Sequence, residues 1–193
     1  SSKLLCWSAL DRGLRLAERL DLDAPVQSWE EQREAIRTAI LERGWSERRR
    51  AFTGYFGSDE LDASVLLMPL VDFLPADDPR MLSTISTIRQ DLTDDGLVLR
   101  YEAHDGLEGE EGSFVICTFW LVSCLARAGM LSEAETLFGR VVGYSNDLGL
   151  LAEEIDASSG ELLGNFPQAF SHVGLINAAF DIDKARKRVD PGR

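Results

Sequence analysis

The sequence predicts an all-α protein with about seven helices and a few short strands. Apolar residues recur at a spacing of three to four over most of the 193 residues, which is the period of amphipathic helices. Short polar turns containing Gly or Pro divide these runs into successive hairpins, and no long alternating runs support a sheet. The length fits one domain with its own core.

The first half of the chain is predicted to form four helices. The periodic runs cover residues 4–20, 28–43, 61–73 and 80–92. Pro69 lies within the third run, where it predicts a kink or an early stop, because proline lacks the N–H that a helix needs.

The second half is predicted to form three more helices. Residues 97–101 alternate and form a strand or an extended loop, whereas residues 114–128 are apolar nearly all round and belong to an interior helix. A further helix runs to about residue 144. Pro167 fits the first turn of the last helix, which is predicted to end near residue 180.

Two capping boxes predict where helices begin. Ser28 with Glu31, and Ser132 with Glu135, have the spacing at which a hydroxyl and a carboxylate satisfy the free N–H groups of a first turn.

Charge and cysteine content exclude several classes of function. A net charge of −13 disfavours nucleic acids and anionic membrane surfaces, because both are bound through clustered Lys and Arg. No apolar run approaches the roughly 20 residues of a membrane-spanning helix, and no signal peptide is visible. The three cysteines, Cys6, Cys117 and Cys124, match neither a disulfide framework nor a zinc site with His104 or His172. We therefore expect buried cysteines, a cytoplasmic location, and no metal or cofactor.

One stretch carries polar residues placed for chemistry. Glu153 and Glu154 lie in an apolar run just before a turn that contains glycine. The first turn of the helix that follows carries an amide, a hydroxyl and an imidazole, from Gln168, Ser171 and His172. Such a loop can present a catalytic acid or base. The alternative is that the two glutamates form a solvated helix end.

Four stretches occur in the order in which a known family has them. They are SKLLCWSALDR at residues 2–12, YFGSDELDAS at residues 55–64, EGSF through FWL at residues 111–121, and NDLGLLAEE at residues 146–154. Together they resemble bacterial members of the glucoamylase-like glycosidases, glycoside hydrolase family 15, which includes glucoamylases, glucodextranases and trehalases. The resemblance extends from residue 2 to about residue 180.

The resemblance implies a fold and a boundary. Members of the family have an α/α toroid, a six-hairpin barrel with roughly twice the helices predicted here. Residues 1–183 are therefore assigned to the C-terminal half of such a domain, and residues 184–193 to a charged tail. Since the first residue is not Met, the chain is expected to be cut from a longer protein, whose N-terminal half is its partner.

The resemblance also implies an inverting α-glycosidase that hydrolyses terminal α-glucosidic bonds of an oligosaccharide or disaccharide. Such enzymes use one carboxylic acid to protonate the leaving oxygen and a second to activate water on the opposite face of the sugar. Glu153 matches the base, and Glu154 is given a supporting role. The acid belongs to a tryptophan-glutamate motif upstream of the segment matching residues 2–7. No such motif precedes that segment here, so the chain alone is expected to be inactive.

Further residues are implied to hold the sugar. Arg100 and Tyr101 match an arginine–tyrosine pair of the family, and the rigid fork of an arginine can bind two adjacent hydroxyls. The alternative is that Arg100 is a surface residue at the end of a strand. Glu108, Glu111 and Trp120 are assigned to the neighbouring pocket, because carboxylates accept hydrogen bonds from hydroxyls and aromatic faces pack on sugar rings. For Trp120 the alternative is a place in the core.

The rival hypothesis is a non-catalytic helical module that binds carbohydrate or another protein. Half a toroid would expose the apolar faces that its missing helices cover, and a large apolar patch favours self-association.

Overall fold

Helices dominate the structure, as the sequence predicts. The computed structural model describes residues 2–101 and 112–190. Within these ranges the helices are α1 (Ser2–Leu20), α2 (Val26–Arg43), α3 (Leu67–Leu70), α4 (Pro79–Asp91), α5 (Val115–Arg127), α6 (Leu131–Val142) and α7 (Ala169–Val189). The strands there have two residues each: β1 (Trp45–Ser46), β2 (Ala51–Phe52), β3 (Thr93–Asp94), β4 (Leu97–Val98), β5 (Ser113–Phe114), β6 (Glu154–Ile155) and β7 (Leu162–Leu163). The all-α prediction is confirmed.

The short strands form three small antiparallel sheets. Strand β1 pairs with β2 and β3 with β4, while β6 lies between β5 and β7. In the three-stranded sheet, Glu154 lies opposite Phe114 on one side and Leu163 on the other. This sheet joins the segment before α5 to the segment before α7.

Both predicted capping boxes are wrong, because each helix starts before its serine. Helix α2 begins at Val26 directly after Pro25, which ends the preceding turn, and no side chain caps it. Helix α6 begins at Leu131 because Gly129, with φ of +83°, ends α5 and lets the chain turn at once into the next helix. Ser28 and Ser132 therefore lie inside the first turns of their helices.

The predicted third helix is shorter than expected. A 3-10 helix (Ala63–Leu66) and the four-residue α3 replace the run over residues 61–73. Asp62 caps this segment by accepting a hydrogen bond from the Ser64 N–H at 2.7 Å. Helix α3 ends one residue after Pro69, so the early stop is confirmed.

The last helix begins and ends later than predicted. It starts at Ala169, capped by the Gln168 side chain, so Pro167 precedes the first turn. It continues to Val189, because basic residues near its end complement the helix dipole and pair with acidic side chains. The Lys187–Asp183 and Arg186–Glu135 ion pairs, at 2.7 and 2.6 Å, lie in this part. Residues 184–189, the first part of the predicted charged tail, therefore belong to α7.

Helix α5 lies at the centre of the core, as its apolar sequence predicts. Ten of its residues are buried, and it packs against α6 and α7. A Cβ atom added to Gly174 of α7 would lie 3.1 Å from the Cβ atom of Phe119. The glycine therefore allows α7 to approach α5 closely.

Helices α1 and α2 form a hairpin that is held by a buried carboxylate. Asp11, 4% exposed, pairs with Arg15 at 2.9 Å and with Arg12 and Arg33 at 3.2 Å. Arg33 belongs to α2, so this cluster ties the two helices together.

The loops that precede α3, α5 and α7 are bonded to one another. Asp62 forms an antiparallel bridge with Tyr101, and the Ala63 N–H donates to the Arg100 carbonyl at 2.9 Å. The β5–β6–β7 sheet links the second loop to the third. These loops carry most of the predicted site residues.

The cysteines differ in their surroundings. Cys117 and Cys124 are buried as expected, whereas Cys6 is exposed because it lies on the outer face of α1. Burial raises the pKa of the Cys117 thiol to about 12, so that thiol is inert. None of the helices in the described ranges has the length and apolar character that crossing a membrane requires.

Candidate active site

Glu154 is the first residue of β6 and Glu153 directly precedes it, so the two glutamates do not form a helix end and that alternative is wrong. Their side chains bond in opposite directions. Glu153 contacts Asn165, which follows β7, whereas Glu154 contacts Gly112, which precedes β5. Because β5 and β7 flank β6 on opposite sides, the carboxylates are separated by their partners although the residues are neighbours in sequence.

The Glu153 carboxylate is held through one oxygen. Its Oε2 accepts hydrogen bonds from the Asn165 side-chain amide at 2.7 Å and from the Asn165 backbone N–H at 3.1 Å. In the part of the chain that the structure describes, no donor reaches Oε1. The side chain is half-buried. This carboxylate therefore is oriented through one oxygen, and its other oxygen has no donor among the described residues.

A glycine allows the loop to approach Glu153 this closely. Gly164 has φ of +73°, and a Cβ atom built there would lie 3.0 Å from the Glu153 Cβ and 3.1 Å from Oε2. Any other residue at this position would displace the glutamate or the loop.

The backbone that carries Glu153 is clamped by the start of α7. The Ser171 hydroxyl donates to the Ala152 carbonyl at 2.7 Å, and the Gln168 N–H donates to the Leu151 carbonyl at 3.0 Å. His172 accepts from the Leu151 N–H through Nε2 at 3.4 Å, while its Nδ1–H donates to the Gln168 carbonyl at 2.7 Å. The hydroxyl and the imidazole singled out in the sequence thus orient the loop, whereas the Gln168 side-chain amide caps α7 and only its backbone N–H bonds the loop.

Glu154 is tied to the loop before α5. Its Oε2 accepts from the Gly112 N–H at 3.0 Å. A Cβ atom on Gly112 would lie 3.1 Å from the Glu154 Cβ, so this approach also depends on glycine.

Arg100 is exposed and stacks on two aromatic rings. Its guanidinium carbon lies 5.4 Å from the ring centres of Tyr101 and Phe114. Phe114 lies opposite Glu154 in the β5–β6 pairing. The structure therefore brings Arg100, Tyr101 and Glu154 to neighbouring positions on one layer of loops. The stacking leaves the N–H donors at the edges of the guanidinium plane available.

Trp120 lies elsewhere. It is half-buried, packs against the core, and lines a groove of about 330 Å³ between α3, α5 and α7 with Leu70 and Phe180. None of the residues lining that groove belongs to the loops that carry the two glutamates. Glu108 and Glu111 lie outside the described residues.

Sequence reasoning gave neither Asn165 nor Asp156 a role. The contact of Asn165 with Glu153 crosses the β6–β7 hairpin and joins residues that are 12 apart in sequence, so the spacing of neighbouring residues does not predict it. Asp156 closes that hairpin by accepting bonds from Ser158 and Ser159, which lowers its pKa to about 2. A carboxylate followed at two residues by serine is the signal that could have identified this turn.

The arrangement around Glu153 is suited to proton transfer. A carboxylate with one anchored and one open oxygen can take a proton from a water molecule that lies against the open oxygen. Within the described ranges, no three His, Cys, Asp or Glu side chains form a group that could hold a metal ion.

Solved structures share this fold. A bacterial glucoamylase crystallised with acarbose superposes with a TM-score of 0.74 at 16% identity, covering 94% of this chain and 33% of that chain. A wild-type glycosidase superposes with a TM-score of 0.71 at 21% identity, covering 83% of this chain and 46% of that chain. The helices thus have the arrangement of part of a glucoamylase-like α/α toroid, as the resemblance implied.

Curated relatives are trehalases. The trehalase of Mycobacterium tuberculosis is 49% identical over 98% of this chain, and that of Thermoplasma volcanium is 40% identical over 95%. The chain spans 28% and 30% of the length of these two relatives. A family model, Glycosyl hydrolases family 15, matches residues 1–180. With the motifs, the fold and the relatives in agreement, the chain belongs to glycosyl hydrolase family 15.

Proposed function

We propose that this chain supplies the general base and part of the sugar-binding surface of an inverting α-glucosidase. The observation that carries the proposal is the Glu153 carboxylate, anchored through Oε2 by Asn165 with Oε1 open. Membership of family 15 supports assigning glycoside hydrolysis to this carboxylate.

The proposed reaction needs two carboxyl groups with separate tasks. Glu153 takes a proton from water, and the water oxygen attacks the anomeric carbon from the face opposite the leaving group. A carboxylic acid outside this chain protonates the leaving oxygen. Glu154, held by Gly112, serves as a supporting acceptor for sugar hydroxyls. We therefore propose that the chain alone does not hydrolyse glycosides.

Arg100 and Tyr101 are proposed to hold the sugar. The stacked guanidinium keeps its edge donors free for two adjacent hydroxyls, and its aromatic neighbours fix its plane. We also propose that the sugar contacts Glu108, Glu111 and Trp120. Trp120 lines a groove to which the loops carrying the two glutamates contribute no residue.

Trehalose is the first substrate to test among α-glucosides. The curated relatives named above are trehalases, and they match nearly the full length of this chain.

The exposed face of α7 supports a role within a larger domain. Phe170, Val173, Ile176 and Phe180 are 50–68% exposed and follow one another at helical spacing. Because the chain spans less than a third of its trehalase relatives, we propose that the remainder of the catalytic domain covers this stripe.

The test is glucose release from trehalose by a complete catalytic domain that contains this chain. We expect Glu153→Gln to lower kcat by roughly 10²–10⁴, because the base is lost while the shape is kept. Glu161→Gln is the matched control, since Glu161 is exposed on the same hairpin. Equal activity of the Glu153 variant and wild type would refute the assignment.

Two further measurements bear on the mechanism and on the part played by this chain. Each trehalose should give one β-glucose, from the unit that water attacks, and one α-glucose, from the leaving unit, detected by NMR before mutarotation; two α-glucose molecules would exclude inversion. The 193-residue chain alone should release no glucose. Release that disappears in Glu153→Gln would contradict the need for a second carboxyl from outside.

The rival function is a non-catalytic module, in which the apolar stripe on α7 would be covered by a second protein chain. In that case a complete domain would bind trehalose in calorimetry without hydrolysing it. The mass of the 193-residue chain in solution shows what covers the apolar stripe. A dimer that is lost in the double variant Phe170→Ser/Phe180→Ser indicates a second copy of the chain. A monomer that associates with the separately produced remainder indicates the toroid.

A further inference from the structure

Asn165 makes the only hydrogen bonds to the Glu153 carboxylate that the described residues provide. Both donors, the side-chain amide and the backbone N–H, reach the same oxygen, at 2.7 and 3.1 Å. The Asn165 carbonyl accepts from the Glu153 N–H at 3.0 Å, so the two residues are also paired through their backbones. The asparagine thus determines both where the glutamate lies and how its carboxylate is turned.

The rest of the loop is built to bring Asn165 to this place. Gly164 has a positive φ and lacks the Cβ atom that would lie 3.0 Å from the Glu153 Cβ, so the loop can pass close to the glutamate. On the other side, Ser171 and Gln168 fix the Ala152 and Leu151 carbonyls. The Glu153 backbone is therefore rigid, and the remaining freedom is the rotation of its side chain.

We propose that Asn165 is a positioning residue for Glu153, which holds Oε2 so that Oε1 faces the attacking water. This inference rests on the proposed function for its kinetic consequence, though not for its geometry. Among the described residues the Asn165 side chain bonds only to Glu153, so its amide has no separate structural task. An asparagine suits the position because a neutral donor orients the carboxylate without neutralising it, as an arginine or lysine would.

Two substitutions separate orientation from packing. Asn165→Ala removes the side-chain donor and keeps the backbone donor. Asn165→Asp keeps the shape but replaces the donor with a negative charge next to Glu153. If the Asn165 side chain only filled space, Asn165→Asp would be harmless and Asn165→Ala harmful. If it orients Glu153, Asp is the more harmful of the two.

The kinetic test uses a complete catalytic domain with trehalose as substrate. Asn165→Ala should lower kcat on the order of tenfold, the value of one hydrogen bond to a charged group at an exposed site. Asn165→Asp should lower kcat roughly 100-fold, because like charges in contact oppose each other. KM should stay within about twofold in both, since the sugar is held by other residues. Gln90→Ala, which removes an exposed amide on α4, is the control.

Either of two kinetic results would overturn the proposal. One is an Asn165→Asp variant with wild-type kcat, and the other is a change confined to KM. Crystal structures of the same variants give a readout that does not depend on activity. In wild type, Glu153 should have one orientation with Oε2 on Asn165, and in Asn165→Ala it should have several. Glu154, held by Gly112, should be unchanged and serves as the internal reference.

The two readouts also separate this inference from the proposed function. A complete domain without glucosidase activity, in which Glu153 still becomes disordered on loss of Asn165, would refute the function and keep the positioning role. An active domain in which Glu153 keeps its single orientation in Asn165→Ala and Asn165→Asp would refute the positioning role alone.

Discussion

Two carboxylates, Asp11 and Glu153, are surrounded in opposite ways. Asp11 is buried and paired with three arginines, which use both of its oxygens. Glu153 is half-buried and, among the described residues, accepts only from the neutral Asn165, through one oxygen. A carboxylate saturated by cations stabilises a fold, whereas one oriented by neutral donors with an open oxygen can still exchange a proton. The surroundings of a carboxylate therefore distinguish a structural role from a chemical one.

The largest effect is expected when Glu153 is displaced but not replaced. Gly164→Ala places a Cβ atom 3.0 Å from the Glu153 Cβ at a backbone φ of +73°. We expect kcat of a complete domain to fall on the order of 100-fold, because small displacements of a catalytic group are costly. Stability should fall by about 1–2 kcal/mol from backbone strain.

Gly129→Ala is the matched control for that experiment. Gly129 has φ of +83° and open space around its Cβ position, so it has the strain without the collision. It should lose similar stability and keep kcat. Equal losses of kcat in both variants would mean that strain, and not the position of Glu153, limits activity.

The structural role of Asp11 is tested by removing its carboxylate. Asp11→Ala leaves three arginines facing one another between α1 and α2. The free energy of unfolding should fall by about 2 kcal/mol, between the values for exposed and buried pairs, because the arginines are 32–58% exposed. Urea unfolding measures this loss, and Asp23→Ala, in the loop after α1, is the control.

Two results for Asp11→Ala would contradict the distinction between the two carboxylates. One is a loss of kcat per folded molecule as large as that of the Glu153 variants. The other is an unchanged free energy of unfolding.

Arg100 tests whether the layer around Glu154 binds sugar. Arg100→Lys keeps the charge but loses the planar fork that stacks between Tyr101 and Phe114. We expect KM for trehalose to rise about tenfold, with a smaller change in kcat, in steady-state kinetics. An unchanged KM would indicate that Arg100 is a surface residue, the alternative that its exposure allows.

The smallest expected effect concerns Asp156, a carboxylate with a purely local task. Bonds from Ser158 and Ser159 lower its pKa from 3.8 to about 2. A lowered folded-state pKa contributes stability that is present above the unfolded pKa and is lost as the pH falls through the folded one. Asp156→Asn should therefore be slightly less stable than wild type above about pH 4, with the difference disappearing near pH 2. Thermal unfolding at pH 7, 4 and 2.5 measures it, and a difference that does not depend on pH would contradict it.

Helices were predictable from the sequence, and the contacts that define the site were not. The apolar stripes of α1, α4 and α5 identify those helices, because a helix buries residues at a regular period. The two-residue strands β5, β6 and β7 are too short to have a period, so the sheet that carries Glu154 could not be predicted. The starts of α2 and α6 were misplaced because preceding turns, and not serine side chains, set them.

For the site, the family motifs made Glu153 the candidate base, because a motif preserves residue types in order. Asn165 is 12 residues away across a hairpin, and only the folded chain brings its amide to the carboxylate. The burial of Asp11 was equally hidden, because one of its partners, Arg33, comes from the next helix.

The most direct test of the central claim, that Glu153 is the base, is rescue by an external nucleophile. Glu153→Ala in a complete domain should hydrolyse an activated α-glucoside poorly in buffer alone. With added azide, the anion takes the place of water, attacks the anomeric carbon opposite the leaving group as that bond breaks, and should give β-glucosyl azide. Recovery of β-glucosyl azide is the predicted result. No rescue, or the α-azide, would contradict the assignment of Glu153.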